Sequence, residues 1–240
     1  MLEQQGQFAG FPPEGLDFFT GLTFNNEKTW FEDHKEDYER FILQPSRAFV
    51  TAMGERLPEI SSDIQADPRV NKSLFKIHRD TRFSKDKTPF KTHMGIWFWE
   101  GTGKRMNCSG FYFHLEPLKM FVGGGLHKFP QELMAPYRES VVHPKHGPAL
   151  VDAIAEVSSH KGLNIGAEHY KKTPRGFDPD HPNAKYLLHN GMHVYQEFEG
   201  IPDCVHAPEL ITFCMDIFKK MAPLHRWLLD LTERAQGKIA

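Results

Sequence analysis

Strict alternation of apolar and polar residues is clearest in the segment Phe111-Tyr112-Phe113-His114-Leu115-Glu116-Pro117-Leu118-Lys119-Met120-Phe121-Val122-Gly123-Gly124-Gly125. In its first half, phenylalanine and leucine occupy every second position, which in a strand puts them on one face of a sheet. The opposite face then carries Tyr112, His114 and Glu116. Pro117-Leu118 is short enough for a hairpin turn, so the segment predicts two antiparallel strands.

Further strand patterns lie on either side of this hairpin. They predict strands over residues 74–80, 93–100 and 192–198, and they extend the hairpin strands to 107–116 and 119–125. The connection Gly101-Thr102-Gly103-Lys104 is also of hairpin length. Because parallel neighbours would need a much longer crossover, the sequence predicts an antiparallel meander.

Helical periodicity surrounds this sheet. Apolar residues three and four apart predict helices over residues 16–22, 30–42, 49–57, 131–142 and 148–159, and a C-terminal pair over 210–221 and 224–231. Asn25 or Asn26 is expected to cap the helix that carries Trp30, since an asparagine side chain accepts a bond from an unpaired helical N–H. A mid-chain sheet flanked by N-terminal and C-terminal helices predicts an α+β fold in one domain over residues 1–240.

Composition narrows the class of protein. Of 240 residues, 40% are hydrophobic, which favours a packed globule, and a net charge of −2 argues against a surface that grips nucleic acid all over. Three cysteines without a CxxC pair, no signal-peptide pattern at the N-terminus and no apolar run of membrane-spanning length predict a cytoplasmic protein without a membrane partner. Residues 1–7 are expected to form a mobile tail.

The strongest functional signal is a charged segment between two predicted strands, Arg79-Asp80-Thr81-Arg82-Phe83-Ser84-Lys85-Asp86-Lys87-Thr88-Pro89-Phe90-Lys91, here called the cationic loop. Residues 72–91 contain seven Lys and Arg against two Asp, a net charge of +5 in a chain of −2. Neighbouring cations repel one another unless an anion lies among them, so the loop predicts an anionic ligand. Phe83, Pro89 and Phe90 suggest that the loop is pinned to the core.

The residues predicted to bind the ligand are Arg79, Arg82, Lys85, Lys87 and Lys91, the arginines as forked donors and the lysines as point charges. Gly124 joins them as the centre of a triple glycine, which marks either a bulge or the close approach of another backbone or a ligand. The alternative is that the arginines pair with carboxylates while the lysines are merely solvated.

Catalytic groups are predicted on the polar face of the hairpin. His114 and Glu116, beside Tyr112, form a candidate acid/base group near the cationic loop, or else a hydrogen-bonded structural face. His93, His127 and Asp80 would complete a metal site with His114, but no diagnostic metal motif is present and no metal is assigned. Nothing in the sequence identifies a cofactor.

Three functions fit these residues, and each predicts a different structure. An enzyme acting on a phosphorylated or carboxylated small molecule predicts a concave site where the cations converge. A module that binds nucleic acid or an acidic partner predicts an exposed patch with aromatic residues among the cations. A structural charge network predicts Arg79 and Arg82 buried and paired with carboxylates.

Five features occur together in the sequence: the cationic loop, Asn25-Asn26, Trp30-Phe31, the triple glycine, and a Pro174 to Pro182 loop that contains Gly176-Phe177-Asp178 and His181-Pro182. In these features the chain resembles a widespread bacterial and fungal family of conserved hypothetical proteins. The resemblance covers residues 10–225. It implies a single α+β domain, and it implies no activity, because the family is catalogued as a domain of unknown function.

Overall fold

The computed structural model describes residues 7–238. Apart from Gln7, the predicted mobile tail therefore lies outside the described residues. The helices are α1 (Pro13–Phe24), α2 (Lys28–Asp33), α3 (Lys35–Asp37), α4 (Gln44–Arg56), α5 (Gln131–Val142), α6 (His146–Ser158) and α7 (Leu210–Ala235). A π-helical turn, Tyr38–Leu43, joins α3 to α4 directly before Pro45, whose missing N–H perturbs the helical ladder.

The strands are β1 (Ile64–Gln65), β2 (Met94–Glu100), β3 (Gly110–Glu116), β4 (Lys119–Leu126), β5 (Asn164–Ile165) and β6 (Met192–Glu199). Within residues 7–238 they form a six-stranded sheet in the order β1-β2-β3-β4-β6-β5. Of the predicted meander, β2, β3 and β4 are present as neighbours, while β1, which was not predicted, lies beside β2. On the other side β6 lies beside β4, and β5 pairs antiparallel to β6. The α+β fold with helices before and after the sheet is confirmed.

Three local predictions were wrong. Residues 74–80 do not form a strand; only isolated bridges join Leu74 to Ile96 and His78 to Phe90. The predicted C-terminal helical pair is one continuous helix, α7, with Pro223 inside it. Neither Asn25 nor Asn26 caps α2, because its N-cap position is Glu27, which makes no side-chain cap.

The chain divides into two compact units. Unit 1 comprises Met1–Phe98, Tyr112–Val122 and Glu197–Asp216; unit 2 comprises Trp99–Phe111, Gly123–Gln196 and Ile217–Ala240. The strands β2, β3, β4 and β6 contribute residues to both.

Aromatic side chains form the core of unit 1. Phe49 and Phe113 are fully buried with ring centroids 4.9 Å apart, and Phe11 stacks on Phe113 at 5.7 Å. Phe98 lies 6.4 Å from Phe49. Phe113 of β3 therefore faces helix α4, as burial of one sheet face on a helix requires.

In unit 2 the C-terminal part of α7 packs on the sheet residues of that unit. Phe218 stacks on Phe111 with centroids 4.8 Å apart, and a Cβ at Gly124 would lie 3.1 Å from the Cβ of Met221. One buried hydrogen bond lies within this contact: the Ser109 hydroxyl lies 2.9 Å from His225 Nδ1. No helix within residues 7–238 has both the length and the apolar character that a bilayer crossing requires.

Candidate functional site

The cationic loop is closed at its base by backbone hydrogen bonds. Arg79 N donates to Pro89 O and Lys91 N donates to Ile77 O, both at 2.8 Å, around the antiparallel bridge between His78 and Phe90. Backbone pairing is limited to the residues beside this one bridge, and beyond it the two segments separate into the loop. The predicted strand over residues 74–80 therefore does not form. The loop is therefore a hairpin excursion with a fixed base.

Asn26 holds one side of this base. Its Nδ2 donates to Phe90 O and its Oδ1 accepts from Phe90 N, both at 3.0 Å. The Phe90 ring is buried and stacks on Phe31 of α2 with centroids 4.4 Å apart. Phe90 therefore pins the loop to the core, as predicted, whereas Phe83 is 95% exposed.

Within the loop, each arginine has a local carboxylate. Arg79 binds Asp86 and the Thr88 hydroxyl. Arg82 binds Asp80 through two bonds of 2.9 and 2.7 Å. Hydrogen bonding to Arg82 lowers the pKa of Asp80 to about 2. Pairing is thus what a structural network predicts, but the arginine side chains are 27% (Arg79) and 77% (Arg82) exposed rather than buried.

The lysines of the loop bond to carbonyl oxygens. Lys87 Nζ donates to Thr81 O at 2.8 Å, and Lys91 Nζ donates to Lys76 O at 2.9 Å. A carbonyl carries no net charge, so its bond to Thr81 O holds the ammonium group of Lys87 in place without neutralising it. Lys85 is exposed at the tip. The positive charge of the loop therefore remains in excess.

His114 lies next to His93, and the two are here called the histidine pair. Their rings stack with centroids 4.4 Å apart, and His114 stacks on Phe121 from β4 at 4.3 Å. The Tyr112 hydroxyl lies 3.2 Å from His114 Nδ1, and Glu116 Oε2 lies 3.8 Å from His114 Nε2. The predicted catalytic residues His114 and Glu116 thus share a strand face with Tyr112, as expected.

Both imidazoles of the pair are held in the neutral form at pH 7. Burial lowers the pKa of His114 to about 4, with a contribution from Lys119. Burial also lowers the pKa of His93 to about 4, and His114, Lys91 and Arg79 act in the same direction while Glu116 opposes them. The cations at the base of the loop thus act electrostatically on His93.

Gly95 makes room for this cluster. A Cβ at Gly95 would lie 2.5 Å from the Tyr112 hydroxyl and 3.3 Å from the ring of Phe75. Any larger residue would displace Tyr112 from His114. Burial, together with Glu116, raises the pKa of Tyr112 to about 12, so its hydroxyl keeps its proton and can donate it to His114 Nδ1.

The remaining predicted residues have other neighbours. Gly124 belongs to unit 2, where it is buried against Met221 and Phe111, and its contact with a ligand stays a prediction. In the neighbouring Gly125, φ is +109° and the backbone of Met192 approaches closely, which is the close backbone approach that the triple glycine predicted.

Concerning metals, His127 of unit 2 lies beside His193, with ring centroids 4.9 Å apart. No group of three or more His, Cys, Asp or Glu side chains in the described part of the chain is arranged to hold a metal ion.

Sequence reasoning grouped His93 with His114 only as part of a metal site that was not assigned, and it missed both their ring stacking and the clamp made by Asn26. A signal for the first existed: joining β2 to β3 by a hairpin brings residues just before β2 near the far end of β3, where His114 and Glu116 lie. For Asn26 there was none, because its two bonds link it to a residue 64 positions away.

Comparison with known proteins gives one family. No curated protein matches the chain in sequence. A family model described as conserved hypothetical protein (DUF2461) matches residues 14–227, close to the range over which the resemblance was recognised. The chain therefore belongs to the DUF2461 family of conserved hypothetical proteins.

Proposed function

We propose that the chain is an enzyme that binds a phosphorylated or carboxylated small molecule between the base of the cationic loop and the histidine pair. The proposal rests on the position of His93, which follows the fixed loop base at Lys91 by two residues and stacks on His114; Lys91 and Arg79 also contribute to lowering its pKa. An anion at this position would meet positive charge on one side and two neutral imidazoles on the other.

The charge at the loop base favours an anion over a neutral ligand. The ammonium of Lys91 donates to Lys76 O and lies over the ring of Phe75 at 5.3 Å, so its position is fixed. Because the position of this ammonium group is already set, little side-chain conformational entropy is lost when a ligand binds to it. Half-buried Arg79 is less screened by solvent than the exposed Arg82, and it can share its guanidinium between Asp86 and a ligand anion.

The histidine pair supplies the chemistry. A neutral imidazole offers a lone pair on one nitrogen and can accept a proton from a substrate. The Tyr112 hydroxyl donates to His114 Nδ1, which leaves the Nε2 proton directed toward Glu116. We therefore assign His93 the role of general base. Glu116, which opposes the lowering of the His93 pKa, stabilises the proton that His93 takes, and His114 orients the base by stacking on its ring.

The binding part of the proposal is tested by thermal unfolding with phosphate, sulfate, sugar phosphates, nucleotides and dicarboxylates. A ligand at 100 times its dissociation constant adds about 2.7 kcal/mol, which raises the melting temperature of a chain of this size by roughly 5–11 °C. Lys91→Gln should abolish the shift. Lys161→Gln changes the net charge equally at an exposed position of unit 2 and should keep it.

The catalytic part is tested on whichever compound binds. His93→Gln should retain the thermal shift and lose turnover of that compound, since it removes the base and leaves the cations. A compound that binds as well to Lys91→Gln as to the wild type contradicts the binding site, and turnover that survives His93→Gln contradicts the assigned base.

A second candidate function, binding of single-stranded nucleic acid, is favoured by one observation. Phe83 is 95% exposed, with the guanidinium of Arg82 5.8 Å from its ring centroid, among the exposed cations of the loop tip. Bases stack on such rings, and each stack contributes about 1–3 kcal/mol. This candidate differs from the first because it uses the tip of the loop rather than its base.

Anisotropy of a labelled single-stranded oligonucleotide separates the two candidates. If nucleic acid is the ligand, Phe83→Ala should weaken binding by about fivefold or more, and binding should fall steeply with salt. Phe24→Ala is the matched control, because Phe24 is 81% exposed in the same unit but lies outside the loop. Equal binding by the two variants removes this candidate.

A further inference from the structure

We propose that unit 2 contains a second ligand site, a groove that binds a small aliphatic zwitterion with a carboxylate at one end and an ammonium group at the other. The groove lies between the start of α6 and the loop that ends at His181 and Pro182, and its volume is about 370 Å³. This volume is within the usual range of small-molecule sites. The proposal is independent of the cationic loop and of the histidine pair.

Two histidines on the groove have a fixed proton arrangement. His143 Nδ1 accepts the backbone N–H of Lys145 at 3.1 Å, and His181 Nδ1 accepts that of Asn183 at 3.1 Å. A nitrogen that accepts a hydrogen bond carries no proton, so in each neutral ring the proton is on Nε2. Both rings therefore offer an Nε2–H donor on the side that points away from their own turn.

The rings are also held in place by their neighbours. His146 stacks on His143 with centroids 4.4 Å apart. Asn183, which follows His181, donates from Nδ2 to Val141 O at 3.0 Å and so ties the loop to the end of α5. Gly147 leaves the space for that bond, because a Cβ there would lie 2.8 Å from Asn183 Nδ2. The groove is thus formed before any ligand arrives.

The remaining walls determine the class of ligand. Asp152 is the carboxylate on the groove, and three prolines and two valines, among them Pro148 and Val151, make its apolar surface. Imidazole N–H groups match a ligand carboxylate, a carboxylate matches a ligand ammonium, and valine and proline match an aliphatic body. A free aliphatic amino acid combines all three.

Calorimetric titration with L-leucine tests the proposal on the full chain. Two truncated probes divide the contacts: 4-methylpentanoate lacks the ammonium group, and 3-methylbutylamine lacks the carboxylate. The expected result is that leucine binds and that each truncated probe binds at least about tenfold more weakly, because a hydrogen bond to a charged group has been lost.

The variants are chosen to keep the fold. In His143→Asn and His181→Asn, the asparagine Oδ1 can accept the same backbone N–H two residues on, as in an Asx-turn, while the Nε2–H donor is removed. Each should weaken leucine binding about tenfold or more and leave binding of 3-methylbutylamine unchanged. Asp152→Asn should weaken leucine and spare 4-methylpentanoate. His169→Asn, at an exposed histidine of the same unit away from the groove, should bind as the wild type does.

Two outcomes would overturn the proposal. One is the absence of any binding heat with leucine at millimolar concentration, together with an unchanged melting temperature. The other is binding of leucine that is equal in the wild type and in all three groove variants, since the ligand would then lie elsewhere.

Discussion

Asn26→Ala tests whether the cationic loop is held by a long-range clamp. The substitution removes two hydrogen bonds at once, those from Asn26 to the backbone N–H and C=O of Phe90. Phe90 is 3% exposed, so water reaches its freed backbone groups poorly. An unsatisfied buried polar group costs about 1–3 kcal/mol, and two of them, partly relieved by solvent entering the space left by the side chain, give about 2–4 kcal/mol of destabilisation.

The assay is equilibrium unfolding by heat and by urea. A chain of this size loses roughly 2–4 °C of melting temperature per kcal/mol, so Asn26→Ala should lower it by about 4–16 °C. Asn25→Ala is the matched control: Asn25 is the adjacent residue of the same type, it is exposed, and its side chain makes one bond, to Gly21 O at 3.0 Å. Its loss should cost no more than about 0.5 kcal/mol.

Two results would refute the reasoning behind this prediction. If Asn26→Ala is no less stable than Asn25→Ala, the bonds to Phe90 do not hold the loop. If both variants are strongly and equally destabilised, the two asparagines act together at the start of α2, as a helix cap would, and the sequence-based expectation would be restored.

Three further predictions concern other parts of the chain. The pKa of His114 is lowered to about 4, so between this value and about 6.5 the folded state binds fewer protons than the unfolded state. The free energy of unfolding should therefore fall as the pH drops from about 6.5 to about 4. The urea midpoints measured at pH 7 and pH 4.5 should differ less in His114→Gln than in the wild type. Ser109→Ala leaves the buried Nδ1 of His225 without its hydrogen-bond partner and should cost about 1–3 kcal/mol in urea unfolding; a cost near zero would contradict this expectation. Gly124→Ala puts a methyl group against α7 and should cost about 1–3 kcal/mol. Gly176→Ala has nothing within 4 Å and should cost only about 1 kcal/mol of backbone strain at its φ of +94°; an unchanged melting temperature in Gly124→Ala would argue against tight packing there.

Periodicity predicted the regular elements well. The alternation of Phe111, Phe113 and Leu115 marked β3, and the hairpin to β4 followed from Pro117-Leu118, because both signals are local. Local signals failed where a distant contact decides the conformation. The alternation in residues 74–80 suggested a strand, but the backbone of that segment meets partners only at isolated bridges before it enters the loop.

Proline and asparagine show the same limit. Pro223 suggested a break between two C-terminal helices, yet α7 continues through it. Burial of the apolar residues on both sides of Pro223, among them Met221 and Leu224, favours one continuous helix despite the lost backbone bond. Asparagine is a residue type that often caps helices, but the side chain of Asn26 bonds to the backbone of Phe90 and does not cap α2.

For the candidate site, sequence supplied the residue types and the structure supplied their grouping. The charge excess of the cationic loop was countable from the sequence, but the pairing of Arg79 with Asp86 and of Arg82 with Asp80 was not. His114 and Glu116 were assigned to one strand face correctly. Their neighbour His93 lies immediately before β2, and the register between β2 and β3 brings the imidazoles together.

An NMR titration of the imidazole of His93 against pH, with and without inorganic phosphate, shows whether an anion binds beside His93. Burial and the neighbouring cations hold the pKa of His93 near 4 in the free protein. A bound anion would oppose those cations, and an opposite charge at this range raises a histidine pKa by about 1–3 units. Phosphate should therefore raise the pKa of His93 by about 1–3 units in the wild type and leave it unchanged in Lys91→Gln. If the pKa of His93 in the folded wild-type protein is unchanged at phosphate concentrations up to about 100 mM, no anion binds beside His93.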